Sequence, residues 1–322
     1  MPRSEIAQRT HFFITDLRKR AVSTISGEVR KSVEGMDPNK DSNSFCIYVH
    51  FDSRNSIHRY VREQLATLSA RGYRIIFVSH AVGSPPLETL SPFCTIQFHR
   101  QNIGHDFGAY HFGLRYLQSR GAHPAEVILT NDSCYGYFGD LTNIIEASRS
   151  SDALIWWLTD SYEIAYHVQS YFLRLSGELL SSLQFWRFWE HLPNTTDRSR
   201  IIRKGEVGFT QHMIKRGITV DCFAPYEQLA LGWLKLHAGR VNARPGEKAF
   251  LDYVESQLVT NAPVNPSHCF VEALLERGVP LVKRDLLRHN PLKVPNLLNI
   301  AQIITAKGSD FSATSEHLKI AV

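Results

Sequence analysis

Hydrophobic and polar positions alternate along much of the chain in the way that is typical of an α/β protein. The run from Phe45 to Phe51 is apolar and rich in β-formers, which predicts a buried strand. Residues 56–71 then place apolar side chains at helical spacing, and Gly72 follows where a helix C-cap is expected. A second strand is predicted at 74–79, so this segment is a β-α-β unit with parallel strands.

The same alternation continues toward the middle of the chain. Strands are predicted at 94–99, 126–130 and 152–158, and a glycine-bearing loop followed by a helix at 109–119 separates the first two. The expected fold class is therefore α/β, with an open sheet. Ligands of such sheets bind beyond the carboxyl ends of the strands. The residues that follow each strand are thus the first candidates for a functional site.

The second half of the chain is predicted to be mainly helical. Helical blocks are expected at 168–175, 177–191 and 206–216, and proline breaks interrupt further helices from residue 227 onward, where no sheet pattern is visible. At the other end, a basic, loosely amphipathic helix is predicted at 12–33.

These patterns divide the chain into three parts. They are an N-terminal basic helix and linker at 1–44, an α/β core at 45–226, and a helical C-terminal region at 227–322 that is expected to pack on the core. The basic helix of the first part is expected either to be a solvated flank or to contact anionic lipid.

Composition limits the class of protein. The 322 residues are 43% hydrophobic and 21% charged, which fits a globular protein and excludes collagen-like and disordered chains. No apolar run approaches the roughly 20 residues that cross a bilayer, and the first residues lack the apolar region of a secretory signal. The five cysteines are widely spaced without a CxxC pair, which favours a reducing compartment. We therefore expect a cytoplasmic protein.

The charge balance is mildly basic, with 36 lysines and arginines against 31 aspartates and glutamates. This surplus suits an anionic ligand or a membrane surface. It is too small to indicate a nucleic-acid partner, and the aromatic residues cluster in hydrophobic runs instead of interleaving with basic ones.

The strongest chemical signal is the segment R-Q-N-I-G-H-D-F-G at 100–108, where a strand gives way to a helix. Its glycines permit close approach of a ligand to the backbone, free amides at a helix start favour a phosphate, and Arg100 can form a forked bond with it. The spacing differs from GxGxxG, which disfavours a nicotinamide cofactor. A tight turn with Asp106 as the helix N-cap is the structural alternative.

A second polar segment, Asn131-Asp132-Ser133, follows the strand predicted at 126–130. A carboxylate there, flanked by small polar residues, can hold a divalent ion between diphosphate oxygens. A strand-end aspartate is also common as a turn or cap residue. The position of Asp132, one β-α unit after the Arg100 loop, favours the functional interpretation.

Together these segments resemble the rhamnan synthesis F family of bacterial polysaccharide glycosyltransferases. The matching motifs run in order through residues 45–295, and they are FCIYVHFD, RxNIGHDFGAY, NDSCYG, HVQSYFL, GEVGFT, NPSH and VPLVKRDLLRHNP. The two ends of the chain lie outside the resemblance.

The resemblance implies a GT-A-like fold, in which a Rossmann-type sheet holds a nucleotide-diphospho-sugar. Family members are associated with surface glycans made from dTDP-rhamnose, on a glycan or lipid-linked glycan acceptor at the cytoplasmic face of the membrane. Peripheral contact with the inner membrane is therefore expected. By this resemblance Asp52 and Ser79 lie near the nucleobase and ribose. The remaining donor-binding residues that it implies are Arg100, Asn102, Gly104, Asp106, Asn131 and Asp132.

The resemblance also places Asp132 where similar enzymes carry a metal-binding DxD, although Asn131-Asp132-Ser133 supplies one carboxylate instead of two. Two alternatives stay open. Either a divalent cation, Mg²⁺ or Mn²⁺, binds at Asp132, or basic residues alone neutralise the leaving diphosphate. The basic stretch at 279–291 is a candidate for contact with the diphosphate or with anionic lipid, and a solvated basic helix is the structural alternative.

An inverting transfer needs one carboxylate that deprotonates the acceptor hydroxyl. Glu206 is the first candidate, because it is predicted to open a helix as base carboxylates do in similar enzymes. Compensation of the helix dipole is its structural alternative. Asp160, at a strand end, is the second candidate. His167 and Gln169 are candidates for orienting acceptor or donor hydroxyls.

The leading prediction is thus a glycosyltransferase that moves a sugar, with rhamnose favoured, onto a growing cell-surface polysaccharide or a lipid-linked acceptor. Two alternatives stay open at this point. One is a sugar-phosphate transferase, and the other is a non-catalytic assembly subunit that retains the fold.

Overall fold

A nine-stranded mixed sheet forms the centre of the computed structural model, which describes residues 28–238 and 244–320. A separate two-stranded ribbon lies beside it. The strands are β1 (Val29–Glu34), β2 (Ser44–His50), β3 (Arg74–Ser79), β4 (Ile96–Arg100), β5 (Glu126–Asn131), β6 (Cys134–Gly136), β7 (Ile155–Ser161), β8 (His167–Val168), β9 (Phe172–Ser176), β10 (Val220–Ala224) and β11 (Leu281–Lys283).

The order of the strands creates a crevice at the middle of the sheet. Along the main path the order is β1-β4-β3-β2-β5-β9-β7-β10, and β8 pairs with β7. Strands β4, β3, β2 and β5 are mutually parallel, whereas β9 runs antiparallel to both β5 and β7. The chain moves outward from β2 to β4 and then returns to β5 on the other side of β2. A reversal of this kind opens a ligand site at the carboxyl ends of β2 and β5.

Helices cover both faces of the sheet. They are α1 (Arg59–Ala70), α2 (His105–Ser119), α3 (Thr142–Ser150), α4 (Gly177–Leu180), α5 (Leu183–Glu190), α6 (Arg198–Ile201), α7 (Gly208–Ile214), α8 (Tyr226–His237), α9 (Pro245–Val259), α10 (Pro266–Cys269), α11 (Val271–Glu276), α12 (Arg284–Arg288), α13 (Leu297–Ala306) and α14 (Ser312–Ile320). A wider π-type turn, Ile202–Val207, joins α6 to α7.

Strand β2 shows how the sequence builds the core. Its side chains alternate between two hydrophobic clusters, so that Cys46 and Tyr48 pack with α1 and the C-terminal helices while Ile47 and Val49 pack with α2, α5 and α7. Each fully buried aliphatic side chain contributes about 1.5–3 kcal/mol. Gly113 allows α2 to approach the strand, because a Cβ there would lie 2.7 Å from the Ile47 side chain.

The expected α/β class is confirmed, and the strands predicted at 45–51, 74–79, 126–130 and 152–158 are present with small shifts of their ends. The helix predicted at 56–71 is also present, as α1. The strands were predictable because a parallel strand that is buried on both faces has a continuous apolar run.

The helix predicted at 168–175 is wrong, because strands β8 and β9 occupy that segment. Strand β9 is buried between β5 and β7, and a short apolar run gives the same sequence signal for a buried strand as for a buried helix. The block predicted at 177–191 is two helices, since Ser182 caps a new helix by accepting a hydrogen bond from the Gln184 N–H.

The two ends of the chain also differ from expectation. Of the helix predicted at 12–33, residues 12–27 lie outside the described residues, and Val29–Glu34 is an edge strand antiparallel to β4. Residues 281–283 form β11 in a region that was expected to lack strands. Within the described ranges, each helix falls short of the length and apolarity that crossing a bilayer requires. All five cysteines are free thiols.

Candidate functional site

A cleft of about 410 Å³ opens at the carboxyl ends of the four parallel strands. Each of these strands contributes a lining residue at or just beyond its end, in the order Phe51, His80, Asn102 and Asn131 for β2, β3, β4 and β5. This is the position that the reversal of strand order predicts. Two groups of side chains line the cleft, and they differ in their chemistry.

The first group, which we call the ribbon wall, consists of Asp132, Ser133, Lys283 and Arg284. Arg284 donates from Nη1 to Oδ2 of Asp132 at 2.8 Å and to the hydroxyl of Tyr60 at 2.7 Å. Lys283 donates from Nζ to Oγ of Ser133 at 3.1 Å and lies 4.5 Å from the centre of the Tyr171 ring. The wall therefore carries two fixed cations and one paired carboxylate.

Backbone pairing holds these two cations in place. Strand β11 pairs antiparallel with β6, with Lys283 opposite Cys134. One residue further, the Arg284 N–H donates to the Ser133 carbonyl at 2.8 Å. The segment Asp132-Ser133 is thus joined through main-chain bonds to a part of the chain that lies far away in sequence.

The second group, the helix wall, contains Asp106 and Glu206. Asp106 lies in the first turn of α2, where its Oδ2 accepts a hydrogen bond from Nδ2 of Asn131 at 2.9 Å. Burial first, and then the nearby carboxylates of Asp132 and Glu206, raise the pKa of Asp106 to about 6. This wall is therefore anionic and contains a carboxyl group that holds its proton unusually well.

Gly104, and not Asp106, is the N-cap of α2, which corrects the alternative given above. Its φ of +78° lies in the left-handed region, and a Cβ there would lie 2.7 Å from the Cα of Gly108. Gly104 therefore allows the tight entry that aims Asp106 into the cleft.

Glu206 lies inside a helix and does not open one, because the helix begins at Arg198 and its π-type turn contains Glu206. Asp197 caps that helix by accepting from the Arg200 N–H, so compensation of the helix dipole is not the role of Glu206. Oε1 of Glu206 accepts from the Ser170 N–H at 2.8 Å. Within the described residues, Oε2 has no hydrogen-bond partner and remains available to a ligand.

Gly205 explains how the helix comes so close to the cleft. A Cβ at this position would lie 2.9 Å from the Phe107 ring of α2. The glycine therefore lets the π-type turn pack against α2, and Glu206 is carried to the cleft beside Asp106. Wider turns of this type are frequent at functional sites.

Asp160, the second candidate base, lies outside this cleft. Its Oδ1 accepts from the Tyr226 N–H at 2.7 Å, and its Oδ2 accepts from the Tyr166 hydroxyl at 3.1 Å. Only 2% of the residue is exposed. Both oxygens thus hold the start of α8 and the turn that follows β7.

Arg100 is buried behind the cleft and does not line it. Its Nη1 donates to Nε2 of His80 at 2.5 Å, and its Nη2 donates to the Ile103 carbonyl at 3.0 Å. Burial lowers the pKa of His80 well below its usual value, and the Arg100 cation lowers it further. Arg100 therefore positions a neutral His80 at the cleft surface. Asn102 does line the cleft, and its buried Oδ1 lacks a hydrogen-bond partner among the described residues.

Asp52 and Ser79 shape loops beside the cleft. Asp52 accepts from the N–H groups of Arg54 and Ser56 and from His58, which orders the turn before α1. The Ser79 hydroxyl is fully buried and bonds Nδ1 of His50 at 3.1 Å. In each case an adjacent residue lines the cleft. It is Phe51, directly before Asp52, and His80, directly after Ser79.

His167 and Gln169 connect β8 to its surroundings instead of lining the cleft. Nδ1 of His167 donates to the Ala165 carbonyl at 2.7 Å. Gln169 accepts from the Thr159 hydroxyl and donates to Oγ of Ser267 in α10. Both residues are buried. They place Ser170, whose N–H holds Glu206.

The arrangement does not fit a divalent cation at Asp132. Within residues 28–238 and 244–320, no three His, Cys, Asp or Glu side chains are grouped to hold a metal ion. One oxygen of Asp132 is already engaged by the Arg284 guanidinium. The donor set therefore suits an anionic ligand that is held by lysine and arginine.

Sequence reasoning missed His80 and Arg198 as cleft residues and did not single out Lys283 and Arg284 from the basic stretch around them. The position directly after a strand was a usable signal for His80. For Lys283 and Arg284 the signal was the short apolar run before them, which is strand β11.

Comparisons with known proteins support a common origin of this core. Residues 75–239 match the family model described as rhamnan synthesis protein F. Virulence protein VirA of Vibrio anguillarum is 28% identical over 261 residues, which cover 79% of this chain and 81% of that protein. The uncharacterized protein y4gN of Sinorhizobium fredii is 28% identical over 200 residues, 61% of this chain and 51% of that protein. The family match includes both carboxylates of the helix wall but ends before Lys283.

Proposed function

The chain belongs to the rhamnan synthesis protein F family, as its motifs predicted, and from that membership we propose that it is a glycosyltransferase of polysaccharide synthesis. The donor is a nucleotide-diphospho-sugar, with dTDP-rhamnose favoured because of the family description. The acceptor is a growing polysaccharide or a lipid-linked glycan, which the enzyme meets at the inner face of the membrane.

One observation carries this proposal, namely the cleft at the reversal of strand order, which is lined by Lys283 and Arg284 on the ribbon wall and by Asp106 and Glu206 on the helix wall. The parallel order β4-β3-β2-β5 is a Rossmann-type half-sheet, which supports a GT-A-like fold. A nucleotide would lie over the ends of β2 and β3, and its diphosphate would reach Lys283 and Arg284. The free Oδ1 of Asn102 is suited to accept a hydrogen bond from a ribose hydroxyl.

Glu206 is suited to be the general base of an inverting transfer. Its Oε1 is held by the Ser170 N–H, so that Oε2 can take the proton of the acceptor hydroxyl. The acceptor oxygen then forms the bond to the anomeric carbon, and the bond from that carbon to the diphosphate oxygen breaks. The leaving diphosphate takes the electron pair, and the cations of the ribbon wall stabilise its charge.

The test is nucleotide binding followed by product analysis. We expect dTDP to raise the melting temperature of the full chain more than UDP, GDP or CMP, because a ligand at 100 times its Kd adds about 2.7 kcal/mol of stability. We further expect release of dTDP from dTDP-rhamnose when a glycan acceptor is present.

Each alternative has its own outcome in this test. Absence of any nucleotide-induced shift would contradict the proposal and favour a non-catalytic assembly subunit. Release of a nucleoside monophosphate would instead identify a sugar-phosphate transferase, because that reaction breaks the phosphoanhydride bond between the two phosphates of the donor.

A further inference from the structure

The ribbon wall provides two cations at the place where a divalent cation was one of two alternatives and neutralisation by basic residues was the other. Backbone bonds to Cys134 and Ser133 fix Lys283 and Arg284 at the end of β5, and the Lys283 ammonium is further held over the Tyr171 ring. Their positions are set by the fold before any ligand arrives. Preorganised cations of this kind lower the cost of binding an anion.

The hydrogen bonds of Arg284 leave much of its binding capacity unused. Both side-chain bonds, to Asp132 and to Tyr60, start from Nη1. Among the residues that the structure describes, Nε and Nη2 have no acceptor. A guanidinium carries five N–H donors in a planar fork, so the unused edge can bind two oxygens of a phosphate.

The Asp132 carboxylate holds the guanidinium of Arg284 in this orientation. Its side chain is 8% exposed, and its Oδ2 accepts from Arg284 and more weakly from the Phe51 N–H at 3.4 Å. The carboxylate therefore orients the guanidinium from behind. Removing this carboxylate would free Arg284 to rotate, whereas removing Arg284 would leave a buried charge without its partner.

We propose that Arg284 and Lys283 bind the diphosphate of the donor directly and that the protein binds its nucleotide without a divalent cation. This inference rests on the proposed function, because it names the groups that contact the donor. Asp132 is then a positioning residue for Arg284, and the N-D-S segment acts through a guanidinium instead of a metal.

Isothermal titration of the full chain with dTDP tests this directly, once in EDTA and once in Mg²⁺ or Mn²⁺. We expect the two Kd values to agree within about threefold. The variant R284Q should weaken dTDP binding by about 10- to 100-fold, which is the effect of losing a charge-assisted bond. Thymidine, which lacks the diphosphate, should bind R284Q and the parent chain equally.

Arg288→Gln is the matched control, because it removes the same charge from an exposed position of the same helix, α12. It should bind dTDP as the parent chain does. If R284Q fails to fold, as judged by its circular dichroism, Lys283→Gln takes its place. Lys283 is only half-buried, and its loss leaves no buried carboxylate unpaired.

The outcomes separate this inference from the proposed function. Binding of dTDP that disappears in EDTA and returns with Mg²⁺ would overturn the inference and leave the glycosyltransferase proposal standing. Equal dTDP affinity in R284Q and the parent chain would also overturn it. Failure of dTDP, UDP, GDP and CMP to bind under either condition would overturn both.

Discussion

The two walls of the cleft differ in whether their carboxylates are paired with a cation. On the ribbon wall the carboxylate of Asp132 is matched by the guanidinium of Arg284, and main-chain bonds fix both positions. On the helix wall, the described part of the chain gives the carboxylates of Asp106 and Glu206 hydrogen bonds only from the Asn131 amide and the Ser170 N–H. The matched wall is suited to hold a charged group in place, whereas the unmatched wall is suited to take up a proton.

The largest effect should come from Glu206→Gln on the helix wall. The change removes the proposed base but keeps the bond from the Ser170 N–H, so we expect kcat to fall by about 10²- to 10⁴-fold with dTDP affinity unchanged. Nucleotide release and calorimetry measure the two quantities. Glu163→Gln is the control, since its carboxylate bonds Asn265 and lies outside the cleft. Full activity of E206Q would show that Glu206 is not the base.

Asp160→Ala should lower stability and leave catalysis nearly unchanged, in contrast to Glu206→Gln. The truncation leaves the Tyr226 N–H and the Tyr166 hydroxyl without their acceptor, so we expect the free energy of unfolding to fall by about 3 kcal/mol. Activity per folded molecule should stay within a few-fold of the parent value. Urea denaturation and initial rates decide the matter. A hundredfold loss of kcat at unchanged stability would transfer the base role to Asp160.

Gly205→Ala should disturb the helix wall without removing a functional group. The new Cβ would lie 2.9 Å from the Phe107 ring, and relieving this overlap should cost about 2 kcal/mol of unfolding free energy. Gly208→Ala is the matched control, because a Cβ there would lie 3.4 Å from the Arg203 carbonyl oxygen and 3.9 Å from the Phe188 ring, which are ordinary contact distances. Thermal unfolding of both variants gives the comparison. Equal melting temperatures would show that the turn does not depend on this close approach.

Asp106→Asn should change mainly the pH dependence of stability. The pKa of Asp106 is raised from 3.8 to about 6 in the folded protein, so the folded state keeps this proton while the unfolded state loses it. Stability from this group is therefore present at low pH and is lost as the pH rises from about 4 to about 6. The asparagine variant should lack this loss and be more stable than the parent chain at pH 7.5 by at most about 3 kcal/mol, which is what a rise of the pKa from 3.8 to about 6 corresponds to.

Urea midpoints at pH 4 and pH 7.5 measure this effect. Asp252→Asn, at an exposed position of α9, serves as the control for removing a carboxylate. An identical pH dependence in D106N and the parent chain would mean that the Asp106 carboxyl titrates normally in the folded protein.

Local sequence patterns were sufficient to predict where the central strands end, but not which side chains form the two walls of the cleft. The apolar runs of β2 and β5 predicted both strands, and the polar residues after them, among them Asn131 and Asp132, do line the cleft. The role of Arg100 was not predictable, because a buried arginine that pairs with a neutral histidine has the same sequence signal as one that faces a ligand. Glu206 was singled out by resemblance, and it lines the cleft although its helix begins earlier than expected.

Long-range pairing accounts for most of what the sequence could not predict. Strand β9 looks like a helix until β5 and β7 are known to lie on either side of it. Lys283 and Arg284 belong to a basic stretch, and only the pairing of β11 with β6 selects those two from their neighbours. Such contacts depend on residues far apart in the chain, which no local window contains.

The β6–β11 ribbon also sets an order of events during synthesis of the protein. Arg284 contacts Asp132 across 152 positions of the chain, and Lys283 contacts Ser133 across 150. A chain emerging from the ribosome begins to fold from its N-terminal side, so the central strands can assemble while the cleft still lacks both of its fixed cations. A chain that ends before residue 283 therefore lacks both cations of the ribbon wall, whatever strands it has formed. The cleft acquires Lys283 and Arg284 only when the last quarter of the chain has been made.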